Sequence, residues 1–363
     1  MTAAGIHPLA RRVVRDLQPP EPLLRDAALG RRGATDLASN VNPLGGADAA
    51  YPPALASELQ ARYAAFLSDE EGISVAPDRM LLTEGSISAI DLLVRTFCEP
   101  GRDRVCVSSP TFPFYARAAA LAEAEVVDVP LRGTAYERLD VSATVRAGAR
   151  LTFLCSPGNP VGSALDAGDV LAVADASAGL VVVDEAYVEF SDGQSLAGEL
   201  DRAPNLVVLR SFSKAWGLAA VRAGALLADA AVVAAVRLVQ LTYGFGAPAR
   251  RLVTARLDDP SPMRRYVELV RRERGRVTAA LRELPCVVRV YPSEANFVLV
   301  EVAGGAAVDR ALDAANLVVG RPPGVGGALR IAIGLPEDND RVLTALGGVE
   351  LSAPRERSRT PAR

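Results

Sequence analysis

The sequence predicts an α/β fold in which a mostly parallel sheet is covered by helices on both faces and followed by a smaller α/β unit. Three observations predict it. Short apolar runs of strand length recur at Val105–Val107, Val126–Val127, Leu151–Leu154, Leu180–Val183, Leu206–Leu209 and Ala223–Leu227. Helical patterns lie between them, as Ile87, Ile90, Val94 and Phe97 and as Ala-rich segments at 114–122 and 167–178. After residue 247 the pattern changes to long helices interrupted by Asp258-Asp259-Pro260-Ser261-Pro262, then to short strands near 287–291, 296–302 and 328–333.

Strands alternating with helices favour parallel pairing, because each crossover helix carries the chain back to the end of the sheet from which the previous strand started. Ligands on such sheets bind at the carboxyl ends of the strands. The expected units are an N-terminal arm over 1–35, marked by Pro19, Pro20 and Pro22 and packed on the small domain; a large domain over 36–247; and a small C-terminal domain over 248–352. The last segment, 353–363, has no apolar periodicity and is expected to be disordered.

Composition removes several functions. With 363 residues, 50% hydrophobic side chains and a net charge of -3, the chain has a soluble-globular balance and no general affinity for nucleic acid. Arg264, Arg265, Arg271, Arg272, Arg274 and Arg276 alternate with Glu268 and Glu273, as on a solvated helix face. No apolar run approaches the ~20 residues of a membrane span, and no N-terminal leader pattern is visible, so a cytoplasmic protein is expected. Cys98, Cys106, Cys155 and Cys286 lack the spacing of a disulfide framework or zinc site. The single histidine, His7, leaves neither a Ser-His-Asp hydrolase nor a histidine metal centre, and no metal is expected. No Walker sequence is present. Gly244-Phe245-Gly246 imitates a dinucleotide fingerprint, but it follows no clear strand.

The forty basic residues are thirty-nine arginines and one lysine, Lys214. On a solvated surface either cation serves. A Schiff base cannot use arginine, whose guanidinium stays protonated, whereas an ammonium can lose its proton and attack a carbonyl. Lys214 lies in Ser211-Phe212-Ser213-Lys214-Ala215-Trp216-Gly217, just after the strand 206–209, with Arg222 eight residues on. Two hydroxyls and a guanidinium beside an amine suit a ligand carrying both an aldehyde and a phosphate, which is the chemistry of pyridoxal 5'-phosphate.

Three further segments fit the same ligand. The run Val181-Val182-Val183-Asp184-Glu185-Ala186-Tyr187 sets a carboxylate at the end of a buried strand, where it is costly unless paired; a protonated pyridine nitrogen is a suitable partner, with Tyr187 near the ring hydroxyl. Taken alone, Asp184 is more commonly explained as an N-cap for the next helix. Ser156-Pro157-Gly158-Asn159-Pro160 reads as a turn, but it brings Asn159 to the same sheet edge. Thr83-Glu84-Gly85-Ser86-Ile87 opens a helix whose free N–H groups can bind phosphate.

Together these segments resemble a fold-type I aminotransferase of the histidinol-phosphate aminotransferase family. The likeness covers most of the chain: Asn40-Val41-Asn42-Pro43-Leu44-Gly45, Tyr51-Pro52, Thr83-Glu84-Gly85, Phe97-Cys98-Glu99-Pro100-Gly101, Pro110-Thr111-Phe112, Asn159-Pro160-Val161-Gly162, Asp184-Glu185-Ala186-Tyr187, Ser213-Lys214 through Arg222, and Leu329-Arg330-Ile331. The resemblance implies the fold of pyridoxal-phosphate transferases of type I: a large domain with a mostly parallel sheet of the seven-stranded type and a smaller α/β domain. It makes Lys214 the Schiff-base lysine, Asp184 the partner of the pyridine nitrogen, Asn159 and Tyr187 the partners of the ring hydroxyl, and Phe112 the stacking ring. Ser211, Ser213, Arg222 and the amides of Gly85 and Ser86 would hold the phosphate, joined by Tyr51 from the second subunit of a homodimer. Arg330, assisted by Arg321 and Asn42, would bind the substrate.

Departures from the family pattern fall on the substrate side. Leu17-Gln18-Pro19-Pro20 stands where a Leu-x-Pro-Tyr sequence is usual, Val41 replaces an acidic residue, and Trp216 replaces a phenylalanine. They predict altered substrate contacts around an intact cofactor set. The implied activity is transamination between an amino acid or amino-alcohol donor and a keto acid or aldehyde. Two alternatives remain at this stage. One is another reaction from the same cofactor, such as decarboxylation of the threonine-phosphate type, cyclisation, elimination or oxidation; the other is a cofactor-binding scaffold without turnover.

Overall fold

The structure, a computed structural model, describes residues 6–18, 35, 37–42, 44–45 and 49–350. The parts of the arm at 19–34 and the tail at 353–363 lie outside the described residues.

The helices run in chain order as α1 (Arg12–Arg15), α2 (Ser57–Glu71), α3 (Ser86–Phe97), α4 (Phe114–Leu121), α5 (Val141–Arg146), α6 (Ala167–Ala176), α7 (Ala230–Val239), α8 (Ala247–Asp258), α9 (Ser261–Arg282), α10 (Gly305–Ala314) and α11 (Pro336–Gly347). The strands are β1 (Met80–Thr83), β2 (Arg104–Val107), β3 (Glu125–Asp128), β4 (Leu151–Cys155), β5 (Leu180–Asp184), β6 (Leu206–Ser211), β7 (Gly224–Ala228), β8 (Val287–Val290), β9 (Phe297–Val302) and β10 (Ala328–Ala332). Among the described residues the first seven strands form one sheet in the order β1-β7-β6-β5-β4-β2-β3. The pairs from β6 through β3 are parallel; β7 runs against both neighbours, β1 and β6.

Strands β4 and β5 are buried at every position, as expected of a sheet covered on both faces. Because successive side chains alternate, the even residues of β5 and the odd residues of β4 and β6 face α1, α3, α4 and α7, while Val181, Val183, Leu154 and Val208 face α2, α6 and α9. That second core layer continues into the small antiparallel sheet β10-β9-β8 and the helices α10 and α11.

Helix α1 corrects one expectation. Its Ala10 and Val14 side are buried in the layer beneath α3 and α7, Arg11 donates to the Arg95 carbonyl at 3.0 Å, and the Arg12 amide donates to Glu99 at 3.0 Å. The described part of the arm therefore packs on the large unit rather than the small one. The reason is an apolar i, i+4 pair backed by arginines that meet the carbonyl and carboxylate at the end of α3. Among the described residues no helix is long and apolar enough to cross a membrane.

Candidate active site

The carboxyl ends of β4, β5 and β6 converge on a cavity of about 180 Å³. Lys214, Asp184, Tyr187, Asn159, Phe112, Ser86, Ser211, Ser213 and Arg222 all line it. These residues come from five separate stretches of sequence, and the sheet order alone brings them together.

Asp184, the last residue of β5, is only 4% exposed. Its Oδ1 accepts from the Ala186 amide at 3.1 Å and its Oδ2 from the Tyr115 hydroxyl at 2.8 Å. Burial pushes its pKa up to about 6, against the Tyr115 and Ala186 hydrogen bonds and the charge of Lys214. No guanidinium is bonded to this carboxylate. Lys214 is shifted the other way: burial and the nearby Arg330 lower its pKa, with Asp184 opposing. Its Nζ lies 5.5 Å from the centre of the Tyr187 ring, and burial raises the pKa of that phenol. A depressed ammonium at this position is suited to act as a nucleophile and to carry a proton.

The opposite end of the cavity is built for an anion. Gly85 takes a left-handed φ of 82° and starts α3, whose first N–H groups have no side-chain cap. A β-carbon at Gly85 would fall 2.7 Å from Arg222 Nη2, and one at Gly224 would fall 2.7 Å from the Ser86 nitrogen. The helix start is thus pressed against the guanidinium. Arg222 is itself left-handed, at φ 55°, and donates to Ser213 Oγ at 3.3 Å and to the Ala219 carbonyl at 2.9 Å. The Ser213 amide in turn donates to Ser211 Oγ at 3.2 Å. Helix N–H groups, two hydroxyls and a guanidinium on one wall suit a phosphate monoester. The buried carboxylate without a guanidinium and the amine between them match the other two functional groups of pyridoxal 5'-phosphate, so the residues present fit that cofactor.

The remaining expected residues lie further out. Arg330, on β10, donates to Asn159 Oδ1, and its guanidinium lies 5.4 Å from the Phe297 ring. Tyr51 is 52% exposed, stacks on Tyr243 at 4.5 Å and faces a separate cleft with Asn40. Asn42 is exposed and accepts from the Leu44 amide. Arg321 is paired with Asp309 at the surface. Trp216 is buried and donates to Glu189 at 3.1 Å, away from the cavity lining. All four cysteines are buried and free, and the described residues contain no cluster set to hold a metal.

One residue was missed by sequence reasoning: Tyr115, whose hydroxyl bonds Asp184. It lies on α4 in an Ala-rich run, 69 residues before its partner, and nothing in that run marks it as part of a site. A larger cavity of about 1070 Å³ lies elsewhere, beside Arg210 and α9, and contains none of the expected cofactor residues.

Comparison with known proteins agrees with this geometry. Residues 38–346 match the family described as Aminotransferase class I and II. A histidinol-phosphate aminotransferase of Xanthomonas campestris is 45% identical over 283 residues, covering 75% of this chain and 78% of that protein. The corresponding protein of Xylella fastidiosa is 42% identical over 312 residues, 82% of each. Among solved structures, histidinol-phosphate aminotransferase from Sinorhizobium meliloti in complex with pyridoxal-5'-phosphate superposes with a TM-score of 0.72 at 24% identity, over 91% of this chain and 87% of that one, a likeness of fold. The expectation of a type I fold holds, and transamination is favoured over the other cofactor reactions and over a scaffold without turnover. The chain belongs to the class I and II aminotransferases, in the histidinol-phosphate aminotransferase family, and is a pyridoxal 5'-phosphate-dependent enzyme.

Proposed function

We propose that the enzyme takes its amino group from a phosphorylated amino alcohol, with histidinol phosphate the first candidate, and passes it to a keto acid, as a cytoplasmic homodimer. The observation that carries the site assignment is the cavity that holds the chain's one lysine between a buried carboxylate and an anion cradle. The donor is suggested by the names of the 42–45% identical relatives. When bound, the cofactor supplies an electron sink for the pair of electrons left at the substrate carbon.

The protein's part is to bind, orient and move protons. Lys214 Nζ, its pKa lowered by burial, would hold the cofactor's aldehyde and would carry a proton to and from the substrate α-carbon. Asp184 keeps the ring nitrogen protonated. Asn159 and Tyr187 would hold the ring hydroxyl, and Phe112 would lie against the ring face. The amides of Gly85 and Ser86, with Ser211, Ser213 and Arg222, fix the phosphate. Arg330, already at Asn159, meets the acidic group of the substrate; Arg321 would have to leave Asp309 to join it. Tyr51, exposed in the single chain, is assigned to the face between two copies, where it reaches the partner's phosphate site; Asn42, also exposed, is assigned to the substrate.

A single-turnover experiment tests the donor. Holoenzyme mixed with L-histidinol phosphate and no acceptor should convert its cofactor to the amine form, seen as loss of the absorbance near the visible edge. Conversion by an unphosphorylated amino acid but not by histidinol phosphate would overturn the donor assignment and leave the aminotransferase itself intact.

A further inference from the structure

This inference rests on reading Asp184 as the partner of the cofactor's ring nitrogen. We propose that Tyr115 is a positioning residue for that carboxylate: its hydroxyl keeps Asp184 ionised and aimed, and its ring ties the carboxylate to the aromatic wall of the site. Tyr115 is fully buried. Its hydroxyl donates to Asp184 Oδ2 at 2.8 Å, its ring stacks on Phe153 at 5.0 Å with the planes 4° apart, and its edge meets Phe112 at 5.6 Å and 83°. Phe112 lines the same cavity as Asp184, so one side chain touches both the carboxylate and a ring of the cavity lining.

Few groups face Asp184. They are Tyr115 from α4, Cys155 at the end of β4, Tyr187 in the loop after β5 and Lys214 after β6, while Arg330 acts on Lys214 and Tyr187. Among the described hydrogen bonds, Asp184 has two donors, the Ala186 amide and the Tyr115 hydroxyl. Tyr115 is the only side-chain donor of the two. Burial already pushes the carboxyl up to about 6, and the Tyr115 bond is the largest force opposing that rise. Cys155, beside the same hydroxyl, is kept a thiol by burial, so Asp184 is the stronger acceptor for the tyrosine proton. Without that bond the neutral acid gains at pH 7, and a neutral acid has no charge with which to hold a protonated ring nitrogen.

Tyr115→Phe keeps both ring contacts and removes only the O–H. Titrating the apoprotein with pyridoxal 5'-phosphate from pH 5 to 8 should show roughly 10- to 100-fold weaker binding at neutral pH, the scale of one hydrogen bond to a charged group. The acid limb of binding should move to higher pH. In turnover, kcat should fall while KM for the donor stays within about twofold of wild type, since no substrate contact is lost. In an Asp184→Asn background the same tyrosine change should alter binding less than about twofold, because no charge remains to hold. Wild-type affinity and an unmoved acid limb in Tyr115→Phe, or an equal loss in both backgrounds, overturns the proposal while the Asp184 reading stands. Wild-type affinity in Asp184→Asn alone overturns that reading, and the role of Tyr115 with it.

Discussion

Two neighbouring residue pairs, Asp184-Glu185 at the end of β5 and Arg210-Ser211 at the end of β6, divide their side chains between the two faces of the sheet. Asp184 and Ser211 line the candidate active-site cavity; Glu185 and Arg210 meet each other on the other face. Both faces bury carboxylates, but they treat them differently. Arg210, 1% exposed, makes a two-point contact with Glu71 at 2.7 and 2.9 Å and lies 3.4 Å from Glu189 and 3.7 Å from Glu185. Glu185 also accepts from the Leu196 amide at 2.7 Å and from Ser195, and Glu189 from Trp216. On that face the chain supplies its own cation. On the cofactor face Asp184 has a phenol, an amide and a depressed lysine. A buried carboxylate left without a guanidinium is a candidate partner for a ligand's charge.

Substitutions on the two faces should therefore behave in different ways. The largest effect belongs to Lys214→Arg, which keeps a cation and removes the primary amine; turnover should fall by at least ~10³-fold, the upper part of the range for losing a positioned proton carrier. An active variant, followed by donor-dependent cofactor conversion, would remove Lys214 from the chemistry. Next is Arg210→Met. It leaves Glu71, Glu185 and Glu189 without their cation and should cost about 3–5 kcal/mol of stability in denaturant unfolding, with apoprotein and holoenzyme affected alike. A loss confined to the holoenzyme would mean that the Arg210 cluster serves the cofactor and that the two faces do not differ in kind.

Asp184→Asn should do the reverse in apoprotein. The carboxyl's pKa in the fold is raised above its ordinary value, so ionised Asp184 opposes folding, and the penalty is fully present above about pH 6. At pH 8 the amide variant without cofactor should melt at or above the wild-type temperature while binding the cofactor more weakly. A lower melting temperature would show that the carboxylate is compensated by the protein itself.

What the sequence revealed and what it hid follow the same division. Lys214 stood out as the one primary amine among arginines, Asp184 as a charge ending a Val-rich strand, and the serines and Arg222 as neighbours of Lys214 along the chain; each signal is local. Period-two alternation also sends Arg210 and Ser211 to opposite faces, but only the sheet order shows that Glu185, Glu189 and Glu71 meet Arg210 on the far side. Tyr115 was illegible for a similar reason: its partner comes from the neighbouring layer, and its own helix reads as apolar packing. For α1, proline spacing marked an arm, but the face on which Ala10 and Val14 pack depends on α3 and α7. Tyr51 and Asn42 are exposed in the single chain and do not line the cavity, so the sheet order that gathers the other residues does not gather them.

The smallest expected effect concerns where the Arg210 cluster keeps a proton. Three carboxylates share one guanidinium, and burial, which outweighs Arg210, Ser195 and Leu196, pushes Glu185 up to about 7 from an ordinary 4.5. Its folded pKa lies above its unfolded one, so between about pH 4.5 and 7 the folded state holds more proton than the unfolded state. Stability from this group is therefore full below that window and is lost as pH rises through it. Glu185→Gln should flatten the fall in unfolding free energy between pH 5 and 7.5 relative to wild type, and the difference between the two slopes removes the contribution that Asp184 makes to both. If the slopes coincide, the proton belongs elsewhere. Glu189 is then the candidate, since its pKa is raised by the same burial and its Oε2 has no partner; Glu189→Gln, but not Glu185→Gln, would flatten the curve.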